Sequence, residues 1–375
     1  MNPSDLFAPA EIERARAYHR PLYRALGIDL ALELGILAAV VFGPPGDWLA
    51  GATGGAWWAR VIELCALVMG VTTLVRLPLS CWRGWVHERR WGFSTQTLRG
   101  WLWDRVKGLV LGVAIVGAGL VLLIGSVRAW PGWWPAAAAP GAAAFALVLS
   151  LLAPLFFERV FNRFWPLADA SLAAELRELS EQAGVPVRTM LVADASRRTR
   201  KSNAYVSGIG PTRRLVLFDT LLGDTPRPEL RGVVAHELGH RRHRHVAIGT
   251  ALGMLGAAVG VLVVWGALSW DGLLSAAGAN GPGDPRVVPL LLLTFFLLEL
   301  VGLPFGAWVS RGWERTADRF AAEVTGDGEA MERLHRRLAL ANLADLDPPP
   351  VVYALLFSHP TPPERIAAVR ATMGR

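Results

Sequence analysis

Long apolar runs, separated by polar connections, dominate the pattern of the chain. They cover residues 25–43, 58–79, 108–126, 136–157, 246–268 and 288–309. Each comes near the roughly 20 apolar residues that a helix needs to cross a bilayer. The fourth run is rich in Ala and Gly and carries the weakest signal, so the pattern predicts about six spans.

The polar connections alternate in charge. Arg14, Arg16, Arg20 and Arg24 precede the first run. Arg76, Arg83, Arg89, Arg90, Arg99, Arg105 and Lys107 flank or fill the second connection. The stretch after the fourth run and the C-terminal tail are also rich in Arg. By contrast PPGDWLAGATGGA, VRAWPGWWP and SWDGLLSAAGANGPGDP, the first, third and fifth connections, are almost free of Lys and Arg. Basic loops stay on the cytoplasmic side of a membrane. Both termini and the large polar segments are therefore expected in the cytoplasm. Trp130, Trp133 and Trp134 fit an interfacial aromatic belt on the outer side.

Residues 158–245 read as a soluble part. Leu172, Leu176 and Leu179 recur between charges and predict a helix over 168–183, which Gly184-Val185-Pro186 ends. Residues 189–192 read as a strand. NAYVSG and RLVLFD, split by Ile209-Gly210-Pro211-Thr212, read as a β-hairpin. The stretch TPRPELRGVVAHELGHRRH predicts a helix with Pro228 at a first helical position, running on into the fifth apolar run. After the sixth run, SRGWERTADRFAAEVTG predicts a helix that stops near Gly326, and residues 329–343 predict another. Thr361-Pro362-Pro363-Glu364 is a capping box for a last helix.

Composition agrees with a membrane protein carrying a soluble part. Of 375 residues 53% are hydrophobic and 18% charged, against about 25% charged in soluble domains. The net charge of +7 would permit nucleic-acid binding. The basic residues flank apolar runs instead of forming one tract, so they read as topogenic charge and no nucleic-acid partner is expected. Arg far outnumbers Lys, and Ala, Gly and Pro abound, which points to a GC-rich bacterial genome and a bacterial inner membrane. Cys65 and Cys81 form no metal-site spacing and no disulfide framework. The polar, acid-containing N-terminus does not look like a cleavable signal peptide.

Candidate chemistry is concentrated in His236-Glu237-Leu238-Gly239-His240, the HExxH pattern. Residues four apart on a helix lie about 40° apart on one face, within reach of a single ion. Zn²⁺ accepts imidazole nitrogens, and Glu237 lies beside the ligands where it can take a proton from water. His243 and His245 are assigned to the basic border of the membrane, together with Arg241, Arg242 and Arg244. A catalytic zinc wants a third protein ligand. Glu314 is the best candidate, because the two runs between it and His240 form a hairpin that returns the chain to the same membrane face. Asp318, one turn on, would fix the orientation of a ligand histidine.

Several runs contain ionisable groups: Asp29 and Glu33 on one helix face, Arg60 and Glu63 as a possible ion pair, and Glu299. Such groups are costly in lipid and face partners or water. A water-filled chamber or interhelical pairing would each account for them. Gly249, Gly253, Gly256 and Gly260 suit close helix packing.

Together these residues resemble the type I CaaX prenyl protease family of integral-membrane zinc metallopeptidases, with the HtpX-like quality-control proteases as cousins. HERRWGFSTQT, FNRFWPLADASL, KSNAYVSG, RLVLFDTLL, AHELGH, SRGWERTADRFA, NLADLDPPP and FSHPTPPERI carry the resemblance, in order along nearly the whole chain. It implies that His236, His240 and Glu314 hold one zinc and that Glu237 is the general base. It further implies that Asn203 and Ala204 lie on an edge strand that binds substrate backbone, and that His359 and Arg365 lie near the reacting carbonyl. Members of this branch are usually described with seven spanning helices, one more than the pattern here.

The expected fold is mainly α: a polytopic transmembrane helical bundle with an integrated zincin-like cytoplasmic metalloprotease domain containing a small β-sheet. Residues 1–24 would form a cytoplasmic arm, 25–157 a membrane domain of four spans, and 158–245 the first part of the protease domain. A transmembrane hairpin over 246–309 and the second protease part over 310–375 follow. The expected partners are peptide or protein substrates, lipidated ones among them, and membrane lipids. Two alternatives stay open from sequence: an HtpX-like protease that degrades membrane proteins, and a transporter or channel with a structural metal.

Overall fold

The computed structural model describes residues 2–153, 156, 158–208 and 213–374, with the side chain of Asp224 left aside. The predicted turn Ile209-Gly210-Pro211-Thr212 and residues 154, 155 and 157 of the fourth run lie outside the described residues. Four long helices come first: α1 (Pro9–Phe42), α2 (Trp57–Cys81), α3 (Leu98–Ala129) and α4 (Trp134–Leu152). A soluble segment follows, with β1 (Phe164–Pro166), α5 (Ala170–Gln182), β2 (Thr189–Ala193), β3 (Ala204–Ser207), β4 (Arg214–Phe218) and α6 (Arg227–Arg242). Then come α7 (His245–Leu268) and α8 (Val288–Thr325). The chain closes with α9 (Gly328–Ala341), α10 (Pro350–Leu356) and α11 (Pro362–Thr372). Among the described residues 6 helices are long and apolar enough to cross a membrane, the number that the apolar runs predict.

The bundle packs through its apolar faces. Leu64, Leu120, Ile124 and Leu291 are fully buried and interlock α2, α3 and α8. The acids within the first run find cations at one end of the bundle. Arg76 grips Asp29 through Nε at 2.8 Å and Nη2 at 2.9 Å, and Arg83 donates to the same carboxylate at 2.8 Å. A third contact joins Arg76 to Glu33 at 2.6 Å. A charge left unpaired there would be expensive, so this cluster fixes how α1 and α2 meet. The ion pair suggested for Arg60 and Glu63 does not form among the described residues. Glu63 accepts the backbone N–H of Gly54 at 3.0 Å, and the buried Nε of Arg60 has no hydrogen-bond partner. One turn of helix separates the two, and the loop amide before α2 is the nearer donor.

The soluble part has its own core. Leu176, Leu215, Leu217, Leu238, Met331 and Leu334 join α5, β4, α6 and α9. The sheet runs β1-β2-β4-β3, with β2 and β4 parallel and both outer pairs antiparallel. The predicted hairpin is present, with Val206 opposite Leu215. β1 was not predicted: three residues are too short to display alternation. β3 is an edge strand, and α6 packs directly against it.

Two helix boundaries matter for the site. α8 is one continuous helix of 38 residues that leaves the bundle and enters the soluble part, ending at Gly326 with φ 63°. That positive φ suits glycine, and the stop is the one the sequence predicts. α6, in contrast, does not run on into α7. Its axis breaks at His243 and Arg244, and Arg244 takes φ 57°. A left-handed non-glycine residue costs on the order of 1–2 kcal/mol, so surrounding contacts must hold it there.

Candidate metal centre and cleft

α6 buries Val233, Val234, Ala235 and Leu238 against the soluble core, which turns His236 and His240 toward α8. Gly239 permits the approach: a Cβ there would meet the Cα of Ala317 at 3.1 Å. Glu314 and Asp318, one turn apart on α8, are both buried at this contact. The His236 and His240 Nε2 atoms lie 3.1 Å apart. Glu314 reaches them with Oε2 at 3.3 Å and Oε1 at 3.2 Å. Three ligands about 2.0–2.1 Å from a tetrahedral ion would stand about 3.4 Å apart, close to this triangle. The buried Oε2 of Glu314 has no hydrogen-bond partner. An orphaned carboxylate oxygen facing two imidazoles fits a cation, and this trio is the metal-competent group found among the described residues.

Outer contacts hold the trio in place. Asp318 accepts from the His236 Nδ1 at 2.8 Å, so the other ring nitrogen is presented to Glu314. Arg365 forks onto Asp318 with Nε at 2.7 Å and Nη2 at 2.6 Å, and its Nη2 lies 3.7 Å from Glu314. His359 stands on the open side, its Nε2 3.4 Å from Glu314. Glu237, His359, Arg365, Asn203 and Ala204 line one cleft of about 490 Å³ that His236 and Glu314 also line. The residues singled out for proteolytic chemistry are thus brought to one place. Burial pushes the Glu237 carboxyl above the usual carboxylate range.

The model of Peptidase family M48 matches residues 166–373, more than half of the chain. The chain belongs to peptidase family M48. A second family model, described as the CAAX prenyl protease N-terminal region with five membrane helices, matches residues 3–163. Four helices of spanning length lie there among the described residues, α1 to α4. An uncharacterized metalloprotease of Bacillus subtilis, YhfN, is 29% identical over 97% of this chain and 87% of its own length. CAAX prenyl protease 1 of Saccharomyces cerevisiae is 28% identical over 83% of this chain and 72% of its own length. The crystal structure of S. mikatae Ste24p superposes with a TM-score of 0.87 at 25% identity, covering 97% of this chain and 90% of that one. The protein is therefore a membrane metalloprotease of family M48, homologous to the CAAX prenyl proteases.

In this M48 peptidase three further residues touch the site. His245 is buried, not part of a wet basic border as its sequence position implied. Its Nδ1 lies 2.9 Å from that of His240, and its ring stacks on Trp313 at 5.1 Å. The left-handed turn at Arg244 swings it back; an unbroken helix would have carried it to the far face. His335 is also buried, 3.6 Å from Asp318, and burial together with the charge of Arg365 lowers it to about 3, so it stays neutral. Arg241 donates Nε to the Val206 carbonyl at 3.0 Å and adds Nη2 to the same oxygen. The free edge of β3 is thereby capped two residues beyond Ala204. The only sequence signal for His245 and Arg241 was the density of His and Arg around HExxH, and His335 had none.

The N-terminal half reaches the cleft as well. Lys201, just before Asn203, pairs with Glu88 at 2.9 Å, donates to the Tyr18 hydroxyl at 2.9 Å and covers the ring of Phe93 at 4.7 Å. Two stretches distant in sequence, one at Tyr18 and one over residues 88–93, are tied to the start of β3 in this way.

Proposed function

We propose that this peptidase is a zinc endopeptidase that cleaves substrates at the cytoplasmic surface of a bacterial inner membrane, trimming C-termini that carry a lipid. One observation carries the reading: two imidazoles and a carboxylate form a metal-sized triangle in a cleft that also contains Glu237. His236, His240 and Glu314 are the proposed ligands. A zinc ion held there supplies a Lewis acid for the scissile carbonyl and lowers the pKa of a water toward about 7. Glu237 is the proposed general base, taking the water's proton and returning it to the leaving amine.

The other roles follow from position. Asp318 orients His236, and Arg365 holds Asp318. His359, on the open side of Glu314, can donate to an oxyanion as it develops. Asn203 and Ala204, at the start of the edge strand, can hold substrate backbone as an added strand. The basic connections support a cytoplasmic cleft. The division of the chain into arm, membrane domain, two protease parts and an intervening hairpin is proposed on the same grounds. The family match of residues 3–163 favours the prenyl-protease branch over HtpX-like quality control.

The deciding experiment is cleavage of a farnesylated CaaX peptide by the purified full-length protein, with products mapped by mass spectrometry. Cleavage should stop with a chelator and return with Zn²⁺. Hydrolysis that survives complete metal removal would sink the mechanism, and equal rates on an unmodified peptide would sink the lipid preference. A second test concerns His245. His245→Phe keeps a ring against Trp313 but removes the nitrogen facing His240. Zinc affinity, read by competition with a chromogenic chelator, should fall about 10–100-fold. His243→Ala should leave it unchanged.

A further inference from the structure

A wider opening than the catalytic cleft lies where the soluble part meets the bundle. It is a groove of about 910 Å³ between the C-terminal end of α4, the N-terminal end of α7 and the far end of β3. Leu147, Leu151, Val246, Ala247, Ala251 and Met254 form its apolar walls, and Leu147, Leu151 and Val246 are open to the outside. Met254 lies about 12 Å along α7 from Val246, so the groove reaches from acyl-chain depth to the headgroup level. Its upper end is basic, lined by Arg213, Arg241 and Arg244.

Glu158 is the carboxylate that lines the groove, and it is already bonded by Arg214 at 3.1 Å. Among the described residues Arg213, Arg241 and Arg244 have no carboxylate within ion-pair distance. Arg241 commits Nε and Nη2 to the Val206 carbonyl, and its Nη1 is unused among the described residues. Arg213 and Arg241 line the same end of the groove, so their like charges repel. An anion would relieve that repulsion with charge-assisted hydrogen bonds.

We propose that this groove binds one anionic phospholipid, with an acyl chain between α4 and α7 and its phosphate on Arg213, Arg241 and Arg244. Basic pockets between spanning helices at a membrane face take such headgroups, and the volume is in the usual range for a ligand site. The site is independent of the proteolytic reading and stands or falls without it.

Native mass spectrometry of the full-length protein, titrated with phosphatidylglycerol and with phosphatidylcholine of equal chain length, tests it. One copy of phosphatidylglycerol should bind about tenfold more tightly than phosphatidylcholine, which has the same phosphate but would bring its choline cation up to three guanidiniums. Arg213→Gln should remove about that factor. Ala251→Trp, which fills the apolar wall and touches no charge, should also release the lipid. Circular dichroism matching the wild type marks each variant as folded. Soluble glycerol phosphate should not compete, because the chain contributes to binding. Equal retention of the two lipids overturns the proposal, as does unchanged phosphatidylglycerol binding in both folded variants. Displacement by glycerol phosphate, or by an acidic peptide, overturns it in favour of a free-phosphate or peptide site.

Discussion

Glu237→Gln is expected to slow peptide hydrolysis by about 10²–10⁴-fold, the usual contribution of a general base, with the metal content unchanged. The amide has the shape of the carboxylate and leaves the cleft intact. It cannot take a proton from water. Glu237 is no member of the triangle formed by His236, His240 and Glu314, so metal stoichiometry by elemental analysis should match the wild type. The pairing of the two readouts discriminates between mechanisms. A transporter with a structural metal would keep its function after this substitution. Retained turnover in the folded variant would remove Glu237 from the chemistry.

Glu314→Gln should give the opposite signature, with metal and activity lost together. Its carboxylate stands 3.2 Å and 3.3 Å from the two imidazoles, 3.4 Å from His359 and 3.7 Å from Arg365. No other described carboxylate is grouped with both histidines. The loss of zinc affinity should exceed the roughly 10–100-fold that removal of an outer partner costs. Isothermal titration of the purified variant with Zn²⁺ measures it. Affinity within tenfold of the wild type would show that the third ligand lies elsewhere.

What the sequence made legible is set by the range of each signal. Apolar runs and HExxH are local patterns, and the spans and α6 fall where they predict. Glu314 could be found because a hairpin of two spans must return the chain to the same face. The misses are places where a tertiary contact overrides a local rule. An uninterrupted helix through residues 242–246 was the natural reading, since Arg244 is not a residue that announces a left-handed turn. That single dihedral moves His245 from a presumed surface to the back of His240. Arg241 has the sequence context of topogenic charge, yet its guanidinium caps β3. Arg60 and Glu63 sit at a spacing that permits an ion pair, but a loop amide wins Glu63.

The continuity of α8 has a mechanical consequence. At 1.5 Å per residue its 38 residues make a rod about 57 Å long, more than the hydrocarbon thickness of a bilayer. The segment that adjusts its tilt to lipid length is the same segment that carries Glu314 and Asp318. Hydrophobic mismatch therefore reaches Glu314 through an unbroken run of helix, with Pro304, which donates no backbone hydrogen bond, as a soft point along the way. Turnover in vesicles should respond to acyl-chain length, making membrane thickness a physical input to proteolysis.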